Sequence, residues 1–430
     1  MRYIIATLGC KVNQYESEAM EQLLRSRGHV RCAEGESPDV LIVNTCAVTA
    51  EGARKARQTV RRLQRQYPGA LLALCGCWSQ VEKEAAAALG PEVLFGTGDR
   101  KGFVEAVEAA AERREGAAAE SWDDPFRRRE FEELPAGAYE GHARAYLKIQ
   151  DGCDNFCAYC VIPYARGRVR SLPKDRCAAQ AAELAAKGYR EIVVTGIEAA
   201  SWGKDLKTGE SLADAVEAVA AAAPGVRLHL GSLEPTAVTD DFVRRMAALN
   251  VCPHFHLSLQ SGCDATLKRM RRKYDTEEFF AVTERLRAAF PGCALTTDLI
   301  CGFPGETEEE FAQTLAFLER CDFAAMHIFP YSVRPGTKAA DMPGQLDRET
   351  KAGRCRRAQE LAGRMRGRYL RAQIGQVHQV LFETEKEPAL WLGHTENYLE
   401  TEAAGDALRG LVKKVKITDV RGEILVGTAL

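Results

Sequence analysis

The chain has 430 residues, 46% of them apolar, and a formal net charge of −2. That length allows two or three packed domains and excludes wholesale disorder. The near-neutral balance excludes a molecule-wide field for nucleic acid, so any such binding must use local patches.

From the N-terminus, "MRYIIATLGC" reads directly into a strand and lacks the basic and apolar regions of a secretory leader. Residues 1–114 then alternate strand and helix. "RYIIATLG", "DVLIVNTC", "ALLALCG" and "EVLFGTG" are short apolar runs, separated by helical stretches such as "QYESEAMEQLLRSRG" and "EGARKARQTVRRLQRQYP". This alternation predicts a doubly wound parallel sheet. Residues 115–140 are charged and broken by Pro and Gly, and read as a linker.

A second βα series fills 141–374, with strands at "RAYLKIQ", "EIVVTGI", "RLHLGSL", "HFHLSLQ", "ALTTDLI" and "AMHIFPY". Six units are too few for a closed eight-fold barrel, so a partial (β/α) barrel is expected. A basic helix at 347–374 ends it. Residues 375–430 are short strands, "GQVHQVLFE", "LVKKVKITDV" and "EILVGTAL", which suggest a small β-barrel. No apolar run approaches the ~20 residues of a membrane span. A soluble cytoplasmic protein is expected, and no membrane partner.

In a reducing compartment the fifteen cysteines are not expected to pair as disulfides. Cys32, Cys177, Cys252, Cys293, Cys321 and Cys355 read as small core residues. Cys10, Cys46 and Cys77 each follow a strand of the first series, at the sheet edge where open α/β folds bind ligands. Cys75 competes for the third place. It lies inside an apolar run and should be buried, while Gly76 turns Cys77 outward. Cys153, Cys157 and Cys160 follow the first strand of the second series. A structural zinc would want a fourth ligand, and no Cys or His lies close by. Three thiolates can hold a 4Fe–4S cluster and leave one iron open.

The words "GCKVNQYESE", "NTCAVT", "GCWSQ", "DGCDNFCAYCVIPYARGRVRS", "LSLQSGCDATLKRMRR" and "DLICGFPGETEEEF" occur in that order. Together they resemble the radical S-adenosylmethionine (SAM) methylthiotransferases, and most of all the tRNA N6-threonylcarbamoyladenosine group. The resemblance covers essentially the whole chain. It implies two 4Fe–4S clusters, an auxiliary one on Cys10, Cys46 and Cys77 and a catalytic one on Cys153, Cys157 and Cys160 that binds SAM. It implies SAM contacts from Tyr159, Gly196, Ser232, Glu234, Gln260 and Asp298, and a C-terminal RNA-binding TRAM domain. The implied reaction is methylthio insertion at C2 of N6-threonylcarbamoyladenosine, position 37 of tRNA. Relatives acting on isopentenyladenosine tRNA or on a ribosomal-protein aspartate are the alternatives, and a non-catalytic iron–sulfur or zinc RNA-binding protein is a third. An external electron donor and a sulfur source are also implied. Glu198 stands where the family usually has His or a small polar residue.

Three basic runs point to RNA. "LKRMRRK" holds Lys268, Arg269, Arg271, Arg272 and Lys273, residues 54–65 carry six cations and no anion, and residues 347–371 carry nine cations against three anions. The first is expected to touch phosphates of the anticodon arm.

Overall fold

A computed structural model of the chain describes residues 1–33, 35–113, 119–136 and 143–430. Its first unit is a six-stranded, all-parallel sheet built from β1 (Arg2–Thr7), β2 (Val30–Arg31), β3 (Val40–Thr45), β4 (Leu71–Gly76), β5 (Val93–Phe95) and β6 (Ala119–Ser121). The strand order is β2-β1-β3-β4-β5-β6. The neighbours β1, β3 and β4 therefore present their carboxyl ends side by side. Helices α1 (Lys11–Ser26), α2 (Ala50–Gln66) and α3 (Cys77–Val81) leave from those three ends. Two of these strands were unexpected. β2 is only two residues long, and β6 falls in the segment read as a linker. Part of that linker, 115–118 and 137–140, lies outside the described residues. The rest is not loose: Leu134 and Ala136 are buried in the core of the second unit.

The second unit has six parallel strands, as the sequence predicts: β7 (Arg144–Asp151), then a short antiparallel β8 (Arg170–Ser171), β9 (Glu191–Gly196), β10 (Arg227–Leu230), β11 (His254–Gln260), β12 (Ala294–Cys301) and β13 (Ala325–Pro330). They form two ribbons, β8-β7-β9-β10 and β11-β12-β13, joined by bridges at Leu228–Val251 and Leu233–Leu257. Strand alternation sorts the side chains. Leu147, Ile149, Ile192, Val194, Leu228, Leu230, Leu257 and Leu299 pack outward under the helices. Tyr146, Lys148, Glu191, Thr195, His229, His256 and Asp298 take the alternate positions and line the interior. The barrel has a polar bore.

The third unit is a closed five-stranded barrel, β14 (Val377–Glu387), β15 (Leu390–His394), β16 (Glu400–Ala404), β17 (Val412–Arg421) and β18 (Ile424–Ala429), in the order β14-β15-β16-β18-β17. β15 and β16 are not obvious in the sequence, because Gly393 and the polar "ETEAA" break the apolar pattern. The helix Arg348–Arg371 joins the units. Its Cys355, Ala358, Leu361 and Met365 enter the core of the second, and Leu370 that of the third. No helix among the described residues is long and apolar enough to cross a membrane.

The first two units are locked by a buried ionic knot. The Arg166 side chain is fully buried. Its Nη1 donates to Glu16 Oε1 at 2.6 Å and to Asp151 Oδ1 at 3.2 Å, and its Nη2 to Glu16 Oε2 at 3.0 Å and Asn13 Oδ1 at 2.9 Å. Lys148 Nζ donates to Glu16 at 2.9 Å and Asp151 at 2.8 Å, and Arg100 Nη2 donates to Glu16 at 3.1 Å. Burial alone would raise the Glu16 carboxyl, but Arg166, Lys148 and Arg100 overcome it and hold the group well below the usual carboxylate range. Removing Arg166 leaves Glu16 facing Lys148 and Arg100 and Asp151 facing Lys148 and Arg170, so the loss is at most the roughly 3–5 kcal/mol of a broken buried pair. Arg166→Ala is therefore expected to lower the urea midpoint by the equivalent of that loss. An unchanged midpoint would show that the knot does not join the units.

Candidate iron–sulfur and SAM site

Cys10, Cys46 and Cys77 are brought together by the strand order. Gly9, at φ +112°, turns the chain after β1 so closely against the next loop that a Cβ there would lie 3.0 Å from Cys46 Sγ. Gly76, at φ +106°, has Thr45 O only 2.4 Å from where its Cβ would be, so only glycine fits. The turn delivers Cys77 to the start of α3, where Arg166 Nε donates to its sulfur at 3.3 Å. Cys75 points to the opposite face of the sheet, into a core with Tyr3, Ile5 and Phe103. Asn13 braces the arrangement by donating to Leu8 O at 2.8 Å and Thr45 O at 2.9 Å.

Cys153, Cys157 and Cys160 sit on the loop between β7 and the short helix Ile162–Arg166, which carries Arg166. The loop is held by Cys153 N donating to Gly167 O at 3.0 Å and Ala158 N donating to Met270 O at 3.0 Å. Cys160 and Cys77 are close enough to feel each other's charge. Burial, then the neighbouring Cys157, pushes the Cys160 thiol up to about 12. Burial raises Cys153 further, and burial with Cys77 and Cys10 nearby takes Cys46 to about 12.

The run at 268–273 divides, which corrects the expectation for Arg272. That side chain is only 4% exposed. It donates to Cys157 Sγ at 3.1 Å, Glu234 Oε2 at 2.7 Å, Ser258 O at 3.0 Å and the Tyr274 hydroxyl at 2.9 Å, and reaches the Tyr159 hydroxyl at 3.5 Å. It belongs to the cysteine site, not to an RNA surface. Arg269 pairs with Glu310, and Lys273 donates to Asn155 Oδ1 at 2.8 Å. Lys268 and Arg271 remain exposed.

The expected SAM contacts also divide. Tyr159 packs beside Ala158, Met270 and Phe303. Glu234 has Oε2 taken up by Arg272, so that oxygen is not open to a sugar. Gly196 has Gln150 Oε1 2.8 Å from where a Cβ would be, so its smallness serves the approach of β7 to β9. Ser232 is exposed, whereas Gln260 is buried with a left-handed φ of +72° at a register shift in β11. Asp298 accepts from or pairs with His256 Nε2 at 3.2 Å inside the barrel. Glu198 packs near Cys153. Burial raises its carboxyl to about 7, Ser201 hydrogen-bonds it, and its Oε1 has no hydrogen-bond partner. Lys11 also points into the bore. Burial and the nearby Arg144 guanidinium lower its ammonium, and Glu191 opposes them. Neither Arg166 and its knot nor Lys11 was singled out from the sequence, although a Lys in the apolar strand "RAYLKIQD" marks the knot.

Comparison with known proteins supplies the family. The radical SAM superfamily matches residues 147–318, and an uncharacterized protein family, UPF0004, matches residues 2–98. A threonylcarbamoyladenosine tRNA methylthiotransferase MtaB of Bacillus subtilis is 38% identical over 96% of this chain and 92% of its own length. The chain belongs to the radical SAM methylthiotransferases. A tRNA-2-methylthio-N(6)-dimethylallyladenosine synthase of Symbiobacterium thermophilum is 34% identical over 97% of this chain and 92% of its own. A radical SAM methyltransferase, TsrM, from Kitasatospora setae shares the fold, with a TM-score of 0.58 at 14% identity over 79% of this chain and 75% of that one.

Three thiolates in each set are a donor set that would suit a 4Fe–4S cluster with one open iron, and Arg272 and Arg166 each donate to one sulfur of a set. Anaerobically reconstituted protein should hold about eight irons, and the Cys153, Cys157 and Cys160 triple alanine variant about four. Cys77→Ala should lose iron and Cys75→Ala should not. Stoichiometric zinc, or iron loss from Cys75→Ala alone, would contradict the assignment.

Proposed function

We propose that the protein inserts a methylthio group at C2 of N6-threonylcarbamoyladenosine at position 37 of tRNA. The observation that carries this reading is the near full-length relationship to proteins named for that activity, in a chain whose two cysteine triples converge. The hydrogen at that carbon is not acidic enough for a side-chain base. When bound, a 4Fe–4S cluster with SAM supplies one-electron cleavage to a carbon-centred radical, and the cofactor rather than the protein carries that chemistry.

The chain's own tasks are to hold, aim and shield. Cys153, Cys157 and Cys160 would hold the catalytic cluster, with Arg272 donating to the Cys157 sulfur. Cys10, Cys46 and Cys77 would hold a second cluster as the sulfur carrier, with Arg166 donating to the Cys77 sulfur. Tyr159, Ser232, Gln260 and Asp298 remain candidates for SAM. The electron and the sulfur must come from outside the chain.

We assign the working units as 1–114, 141–374 and 375–430, with the last as a TRAM-like RNA grip. Its Lys413, Lys414 and Lys416 are exposed on β17. Lys55, Arg61, Arg62 and Arg65 are exposed on α2, which starts four residues after Cys46. These patches, with Lys268 and Arg271, supply the local charge for a tRNA anticodon arm. The proposed tRNA substrate and cysteine-held iron support a location in the reducing cytoplasm.

With dithionite and SAM the reconstituted protein should release 5′-deoxyadenosine, and with sulfide also supplied, tRNA carrying threonylcarbamoyladenosine should gain its 2-methylthio form by nucleoside mass spectrometry. Conversion of dimethylallyladenosine tRNA alone would favour the other reading, and no 5′-deoxyadenosine would favour a binding protein. Phosphate contacts release counterions, at roughly 0.7–0.9 units of log–log salt slope each. Replacing Lys268 and Arg271 together with Ala should therefore flatten the salt dependence of tRNA binding by about one to two units. An unchanged slope would move the RNA path elsewhere.

A further inference from the structure

Among the described residues one cation enters the barrel bore with no directly paired counter-ion, the nearby Glu191 carboxylate being held by Arg144 and Arg227. Lys11 follows Cys10 in the first turn of α1, and its Nζ stands 5.9 Å from the centre of the Tyr398 ring. It makes no hydrogen bond or ion pair among the described residues. Arg144, at the start of β7, has its guanidinium carbon 5.1 Å from the same ring centre. Glu191 accepts from Arg144 Nε at 2.5 Å and Glu383 Oε1 stands 3.7 Å from its Nη1, yet Arg144 Nη2 is buried with no acceptor. Tyr398 comes from the C-terminal barrel and packs against His229 and His254, with ring centres 4.9 and 5.1 Å away. Its ring closes the bore, and two cationic groups with unused N–H donors converge on it.

A buried donor without an acceptor costs free energy, more so when charged. An anionic ligand reaching Tyr398 would satisfy both groups at once. Of the substituents carried by the substrates of this chain's relatives, threonylcarbamoyl ends in a free carboxylate and dimethylallyl has no charge. Lys11 is also the residue next to Cys10. A base held against the cysteines and a substituent held by Lys11 would thus be read by neighbouring residues.

We infer that Lys11, with the free N–H of Arg144, receives the carboxylate of the substrate's N6 substituent, which makes Lys11 a specificity-determining residue. This rests on the proposed threonylcarbamoyladenosine substrate.

The test compares equilibrium binding of two anticodon stem-loop RNAs by the reconstituted protein, without reductant or SAM. One RNA carries threonylcarbamoyladenosine and the other its carboxamide, which has the same shape but no charge. Wild type should bind the acid about 10- to 100-fold more tightly, the range of a charge-assisted hydrogen bond. Lys11→Gln should bring the ratio near one by weakening only the acid, and Lys11→Arg should keep most of it. An equal loss on both RNAs would put a phosphate of the RNA backbone in the cradle and overturn the inference, as would an acid preference that survives in Lys11→Gln. If Lys11→Gln fails to hold iron, the wild-type ratio decides, and a value near one overturns the inference. Wild type that converts only dimethylallyladenosine RNA would refute the substrate reading itself, whereas turnover of the threonylcarbamoyl RNA with no acid preference refutes the role of Lys11 alone.

Discussion

Arg166 is the side chain on which the geometry of both cysteine sets depends. It lies six residues after Cys160, bonds the Cys77 sulfur, and binds Glu16 from the first unit and Asp151 from the second. An arginine can do this because its planar fork offers five donors in fixed directions, which a lysine cannot. The knot also carries surplus positive charge. Arg100, Lys148, Arg166 and Arg170 face Glu16 and Asp151, with Glu132 beside Arg100. A buried surplus of cations is costly alone and is offset when anionic thiolates sit against it. Of these charges Arg166 reaches the Cys77 sulfur, where it opposes the burial that raises that thiol.

The two sulfur-bearing loops are built by different means. The first set comes from three strand ends, and each loop depends on a glycine or a buried amide: Gly9, Gly76 and Asn13. The second is a single loop clamped from one side by Arg166 and from the other by Arg272, which spans Cys157, Glu234 and Ser258. The interior of the second unit is polar, and Tyr398 of the third unit packs there against His229 and His254. Burial strengthens every fixed dipole and charge within that interior.

The fold was largely legible in the sequence because its strands are strongly apolar and regularly spaced. Both βα series fell where alternation put them, and each of the six cysteines follows the strand that the sequence set before it. Cys75 is buried as expected, but Gly76 turns Cys77 to the other face of the sheet and not outward, and there it is buried as well. The failures have local causes. β2 and β6 are two- and three-residue edge strands whose existence depends on their neighbours. β15 and β16 are closed by barrel pairing rather than by their own pattern. Arg272 looked like one cation among five, because a charge run does not reveal which member turns inward. Its burial depends on partners at 157, 234 and 258, which no short window contains. The knot was hidden for the same reason, since ion pairs between residues some 150 positions apart leave only isolated charges in apolar segments.

The central claim is that one buried arginine holds two iron–sulfur sites against each other. Its most direct test is a crystal structure of the anaerobically reconstituted protein with iron located by anomalous scattering. Two groups of iron are expected, one on Cys10, Cys46 and Cys77 and the other on Cys153, Cys157 and Cys160, with the Arg166 guanidinium bonded to Glu16 and Asp151 between them. Iron at one site only, or two sites with Arg166 displaced from both carboxylates, would contradict it.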